Sequence, residues 1–234
     1  MLLRNIDYLS RDPEGFLIFL GFTIFGLVIC ITVHEFSHAF VAVRLGDHHA
    51  QRLGRLTLNP LAHLDLMGSL MLLFVGFGWG KPVPVNPLAL RGNPVQGMAM
   101  IAFAGPLSNI LMAFLLAMPF KLGVLIWPFT FAARVMNNPI EQMVGTVLGI
   151  LVFFNLLLAI FNLIPLAPLD GSKVILGLVP REFARILHRL EPWGPGVLLS
   201  IIMLDWFLDT RILTRILGPG VNALSNLLVG QSIF

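Results

Sequence analysis

The sequence predicts an all-α polytopic membrane protein. Three spanning helices form its core, further helices follow, and a short extended or re-entrant segment lies between spans. Three observations carry this reading. Hydrophobic residues make up 57% of the chain and charged residues 12%, with a mean hydropathy of +0.88. Soluble domains carry roughly 25% charged residues, and half that share cannot cover a water-facing surface of this size. Apolar runs recur, three of them near the length of about 20 residues that a spanning helix needs. The segments outside those runs hold most of the prolines and basic residues. The chain reads as one integral membrane domain, 1–234, with a core at about 16–180 and accessory helices at about 181–234.

The first span runs from about Phe16 to Leu45. It is apolar up to Val33, carries HEFSH, then resumes with AFVAVRL. The residues before it mix charges of both signs, and the run is too long for a cleaved signal peptide, so it reads as a mature membrane helix. The second span covers about Val95 to Phe120, the third about Ile140 to Ile164. Leu66–Gly80 is apolar but short and broken by glycine, which suits a re-entrant or interfacial segment. Residues 81–97 hold four prolines, which favours extended chain over helix. Lys121–Met136 is too short to span and contains Pro128. Arg181–Leu190 (REFARILHRL) alternates apolar and basic residues at helical spacing, as an amphipathic surface helix does. Val197–Trp206 and Ile212–Val229 form either a re-entrant hairpin or one spanning helix with an interfacial partner.

The net charge is +3. The basic residues are scattered through loops, and no nucleic-acid motif is present, so they read as determinants of membrane orientation. Arg44, Arg52, Arg55, Lys81 and Arg91 follow the first span. Lys173, Arg181, Arg185 and Arg189 follow the third. Arg4, Arg11, Lys121 and Arg134 lie on the other side. With three spans up to residue 164, this puts the N-terminus outside and the longer loops in the cytoplasm. The expected location is a prokaryotic cytoplasmic membrane. Cys30 is the single cysteine, so no intrachain disulfide can form.

The chemistry concentrates in His34-Glu35-Phe36-Ser37-His38. Residues i and i+4 share one helix face, so the two imidazoles can bind one Zn²⁺. Glu35 is placed to act as general base on a water at that metal. Ionisable residues inside an apolar span are costly to bury and mark functional sites. A catalytic zinc takes three protein ligands, and Asp170 is the candidate third. It follows the third span in Asn162-Leu-Ile-Pro165-Leu-Ala-Pro168-Leu-Asp170-Gly171. Pro165 and Pro168 there favour extended, rigid chain. His34 lies 18 residues past Phe16, about 27 Å along a helix. That is near the cytoplasmic end of the span, the level at which Asp170 emerges.

HEFSH in the first span, GPLSN at Gly105–Asn109 in the second and NLIPLAPLDG at Asn162–Gly171 after the third resemble the site-2 protease family. The similarity is to its small prokaryotic branch without PDZ or CBS domains. The resemblance covers about residues 16–180. It implies an intramembrane zinc metalloprotease that hydrolyses peptide bonds in or near transmembrane helices. Such enzymes act in regulated intramembrane proteolysis or in clearing membrane peptides. The implied zinc ligands are His34, His38 and Asp170, with Glu35 as the catalytic glutamate. Asn162 is implied to position substrate or polarise the scissile carbonyl. Implied partners are single-pass membrane proteins or membrane peptides, and the lipid bilayer. Residues 81–97 offer an edge to which an unwound substrate can add as a strand. A non-hydrolytic membrane zinc-binding protein or transporter is the alternative, and it would not need Glu35.

The remaining polar residues have blander readings. Cys30 shares a helix face with His34 and His38, yet cysteine is commonly a small buried hydrophobe. His48 and His49 read as solvated loop residues. His63 and Asp65 suit support of the metal ligands. Ser108 and Asn109 suit a hydrogen bond near the site, and Asn155 a bond between helices.

Overall fold

The computed structural model describes residues 10–75, 78–130 and 138–233. Its architecture is set by helices that begin with one local device. Helix α1 spans Pro13–Arg44, and the Asp12 side chain accepts a hydrogen bond from Gly15 N. After a four-residue helix, α2 (His49–Arg52), a 3₁₀ turn covers Pro60–Ala62 and helix α3 covers Leu66–Val75. A second 3₁₀ turn, Pro87–Ala89, precedes α4 at Pro94–Lys121, and α5 spans Pro139–Asn162. Asn59, Asn86, Asn93 and Asn138 each cap the element that starts with the following proline. The side-chain oxygen satisfies an otherwise unpaired N–H of the first turn, and proline at the first position has no N–H to satisfy. Five Asx-Pro pairs thus punctuate the chain.

Helices α6 (Asp170–Leu178), α7 (Arg181–Leu190), α8 (Gly194–Leu208) and α9 (Ile212–Val229) complete it. No strand occurs among the described residues, only an isolated antiparallel bridge between Leu64 and Gly80. Helices α1, α4, α5 and α9 are long and apolar enough to cross a membrane. Their outer faces expose Leu17, Ile18, Leu111, Leu115, Ile140 and Leu227, as lipid contact allows.

Helix α4 is central and packs against α1, α5 and α6. Ala113 and Ala117 of α4 meet Val152 and Leu156 of α5 and Val221 of α9 in one buried cluster, closed at the end by Phe120 and Trp127. Small residues at these crossings let the backbones approach closely. A second cluster joins Ala42, Leu90 and Ile101, and a third joins Leu169, Leu198 and Ile202. These two flank the polar site.

The loops correct several expectations. Residues 81–86 form no helix or turn, and Asn86 is extended; Asn86-Pro87 and Asn93-Pro94 start helical turns within the stretch expected to be extended throughout. Leu66–Gly80 goes out as α3 and returns, because Gly80 pairs with Leu64. Asp170 does not lie in extended chain but opens a helix. The prolines stop α5 at Asn162, and Leu166 N–Ile164 O (2.8 Å) and Leu169 N–Leu166 O (2.9 Å) then form tight turns. Arg134 and the rest of 131–137 fall outside the described residues, as does Arg4.

Candidate metal centre

Helix α1 presents His34 and His38 one turn apart on its buried face. Helix α4 meets that face with residues at the same spacing. His34 Nδ1–H donates to Asn109 Oδ1 (3.1 Å), and His38 Nδ1–H donates to the Ile101 carbonyl (2.7 Å). Gly105 lies midway between these acceptors. A Cβ on Gly105 would lie 2.5 Å from His38 Nε2 and 2.6 Å from His34 Nε2. Only glycine lets the α4 backbone come this close.

The third group arrives from α6. Asp170 Oδ2 lies 3.0 Å from His34 Nε2 and 3.1 Å from His38 Nε2. Gly171 makes this placement possible, since a Cβ there would lie 2.3 Å from the Leu163 carbonyl oxygen. The rings' Nδ1 protons are committed to Asn109 and Ile101. A neutral imidazole then carries only a lone pair on Nε2. Two such lone pairs and a carboxylate oxygen converge in a buried space. They repel unless a cation stands between them. The donor set fits zinc: two imidazole nitrogens and one carboxylate oxygen, spaced near the roughly 3.3 Å edge of a tetrahedron with bonds of about 2.0 Å. Among the described residues, these three form the single group of such side chains close enough to share a metal ion.

Glu35, His34, His38, Asp170 and Asn162 line one cavity of about 520 Å³. Its walls are mostly apolar, with Ile31, Ile101, Leu198 and Ile202 among them. The Gly80 backbone runs beside the Glu35 carboxylate, 3.7 Å from a Gly80 Cβ to Glu35 Oε1. Val83 and Val85 form the adjoining wall.

Comparisons with known proteins show the family to which a chain with this site belongs. The family model described as peptidase family M50 matches residues 120–191. YwhC of Bacillus subtilis, named as an inferred zinc metalloprotease, is 35% identical over 198 residues, 84% of either chain. The chain belongs to peptidase family M50. Rip2 of Mycolicibacterium smegmatis, likewise named as an inferred zinc metalloprotease, is 29% identical over 79% of this chain and 69% of its own. A zinc metalloprotease of Methanocaldococcus jannaschii is 22% identical over 76% of this chain and 40% of its own. No solved structure matches significantly.

Within this M50 chain the other candidate residues divide cleanly. Asn162 reaches the cavity wall, but its Nδ2 donates to Leu158 O (3.0 Å) within its own helix. Cys30 is fully buried with its thiol toward the Leu151 carbonyl and does not join the three-residue cluster. His63 is buried and its Nε2 donates to Thr57 O (2.8 Å), while Asp65 accepts from Gly68 N. Among the described residues, these bonds lead away from His34, His38 and Asp170. His48 pairs with Gln51 at the surface. Asn155 bonds back to Leu151 O of its own helix rather than across helices. The pairing of Asn109 with His34 was legible only as a polar residue inside an apolar span. The burial of two loop charges, Asp47 and Arg55, was not legible from the sequence.

Proposed function

We propose that this integral membrane protein is a zinc metalloprotease that hydrolyses peptide bonds in or near transmembrane helices of membrane-protein substrates. The observation that supports it best is the convergence of His34, His38, Asp170 and Glu35 on one apolar-walled cavity in a protein built of spanning helices. His34 Nε2, His38 Nε2 and Asp170 Oδ2 would hold the ion. Bound zinc supplies Lewis-acid chemistry, polarising a carbonyl and lowering the pKa of a water. Asn109 and Ile101 keep both imidazoles in the tautomer with Nε2 free. Glu35 takes the proton from the attacking water and returns it to the leaving amine. The remaining N–H of the Asn162 amide is available to the developing oxyanion.

A peptide bond inside a helix has its amide committed to the helix, so substrate must unwind before attack. Pro82, Val83 and Val85 border the cavity in a stretch without helix or turn, and residues 82–85 accept the unwound segment as an added strand. Single-pass membrane proteins and membrane peptides are substrates of the right shape, in regulated proteolysis or in clearance. The excess of basic residues after the first and third spans supports a cytoplasmic-side active site in a prokaryotic cytoplasmic membrane.

Glu35→Gln separates hydrolysis from mere zinc binding. The variant should retain zinc while turnover of a single-pass substrate falls by a factor of about 10² or more. Undiminished turnover would contradict the proposal and leave a zinc-binding or transport role. For the strand, Val83→Pro with Val85→Pro should abolish cleavage of the same substrate, because proline removes the pairing N–H groups. Unchanged cleavage removes strand addition from the account.

A further inference from the structure

The segment that borders the cavity is pinned at both ends by buried charges. Asp47 is 1% exposed and Arg55 is 4% exposed, although both lie in the loop between α1 and α3. Charged side chains are almost never buried so fully unless each has a partner to serve. Here the partners are backbone groups of one short stretch. The Arg55 guanidinium donates to the Lys81 carbonyl through Nη2. Lys81 N in turn donates to the His63 carbonyl (2.8 Å). At the far end, Asn86 N donates to Asp47 Oδ2 (2.7 Å), while Asp47 Oδ1 accepts from His49 N (2.8 Å).

Between these clamps the chain reads Pro82-Val83-Pro84-Val85. Alternate residues of an extended chain turn their backbone polar groups to opposite edges. One edge belongs to two prolines, which have no N–H to offer. The other belongs to Val83 and Val85. Among the described residues, no backbone hydrogen bond is formed by either valine. A stretch without ladder partners holds one conformation only if something outside it fixes its ends. The two prolines restrict φ in the middle, and the buried charges fix both termini.

We propose that Asp47 and Arg55 are positioning residues that hold residues 82–85 as a pre-formed strand edge for the substrate backbone. This rests on the strand-addition reading of the site. The clamps touch neither the metal ligands nor substrate. Asp47 acts on the affinity for an unwound segment and not on the bond-breaking step, whereas the Arg55 charge also reaches Glu35. Loss of a clamp leaves the edge to be ordered at each binding event, which lowers affinity.

The test uses the full chain in lipid nanodiscs and a synthetic single-pass substrate. The substrate is made in two forms, one normal and one N-methylated at the amides that face Val83 and Val85. For the wild type, N-methylation should raise KM about tenfold, since it removes the pairing donors. Arg55→Met and Asp47→Ala should raise KM for the normal substrate about tenfold and keep one zinc per chain, and Asp47→Ala, which is remote in charge from Glu35, should keep kcat within twofold. They should also abolish the penalty for N-methylation. Arg55→Lys and Asp47→Asn, which can still donate and accept at these positions, should recover most of the affinity and guard against misfolding of the harsher pair. Variants that still discriminate against the N-methylated substrate as the wild type does overturn the clamp proposal. So does a fall in kcat with unchanged KM in Asp47→Ala. A wild type indifferent to N-methylation overturns strand addition itself.

Discussion

Asn109 is fully buried, and its Oδ1 accepts the only proton that His34 Nδ1 carries. Asn109→Ala leaves that N–H without a partner in a buried site and lets the ring turn. Zinc affinity is expected to fall about 10- to 100-fold, measured by competition with a fluorescent chelator, as for other residues that orient a metal-binding histidine. Asn109→Asp keeps an acceptor and should lose less. A variant with wild-type zinc affinity would show that His34 needs no such support. His34, Glu35 and His38 were legible from spacing alone, because i and i+4 must share a helix face. Asp170 was legible from its proline frame, although its backbone proved helical where extended chain was expected. Asn109 was not legible as the partner of His34. The two lie 75 residues apart, and only the crossing of α1 with α4 joins them.

The crossing itself depends on one position. Ile101, Gly105 and Asn109 recur at the spacing of His34 and His38, so two helices present matched faces. Gly105→Ala inserts a methyl group where 2.5–2.6 Å separates Cβ from both Nε2 atoms. The helices must part or the imidazoles must turn, and either change separates the ligands. Zinc content by elemental analysis is expected to drop well below one per chain. Gly21→Ala, which meets nothing within 4 Å, should keep full occupancy. Equal zinc in both variants would show that the approach of α4 is not required. At this scale the apolar runs revealed the spans within a few residues. Helix starts came one to three residues early because the Asx-Pro caps lie outside the apolar windows. The loop returning at Gly80 and the turns after Asn162 were not legible, since they rest on pairings with distant backbone groups such as Leu64–Gly80.

The whole molecule places its polar groups where α1, α4 and α5, three of its span-length helices, meet α6, α8 and the segment at 78–85, and leaves apolar side chains facing outward. Composition alone made the membrane environment legible, since so little charge cannot cover a soluble surface. Motif order made the grouping of His34, His38 and Asp170 legible. The enclosing cavity was not, because its walls come from α1, α4, α5, α6 and α8 together. The account rests on three distant donors sharing one ion inside this enclosure. Anomalous diffraction at the zinc edge, on crystals of the full chain, tests that most directly. The expected result is one peak per chain about 2.0–2.2 Å from His34 Nε2, His38 Nε2 and Asp170 Oδ2. A zinc peak elsewhere, or none between these three atoms, would contradict it.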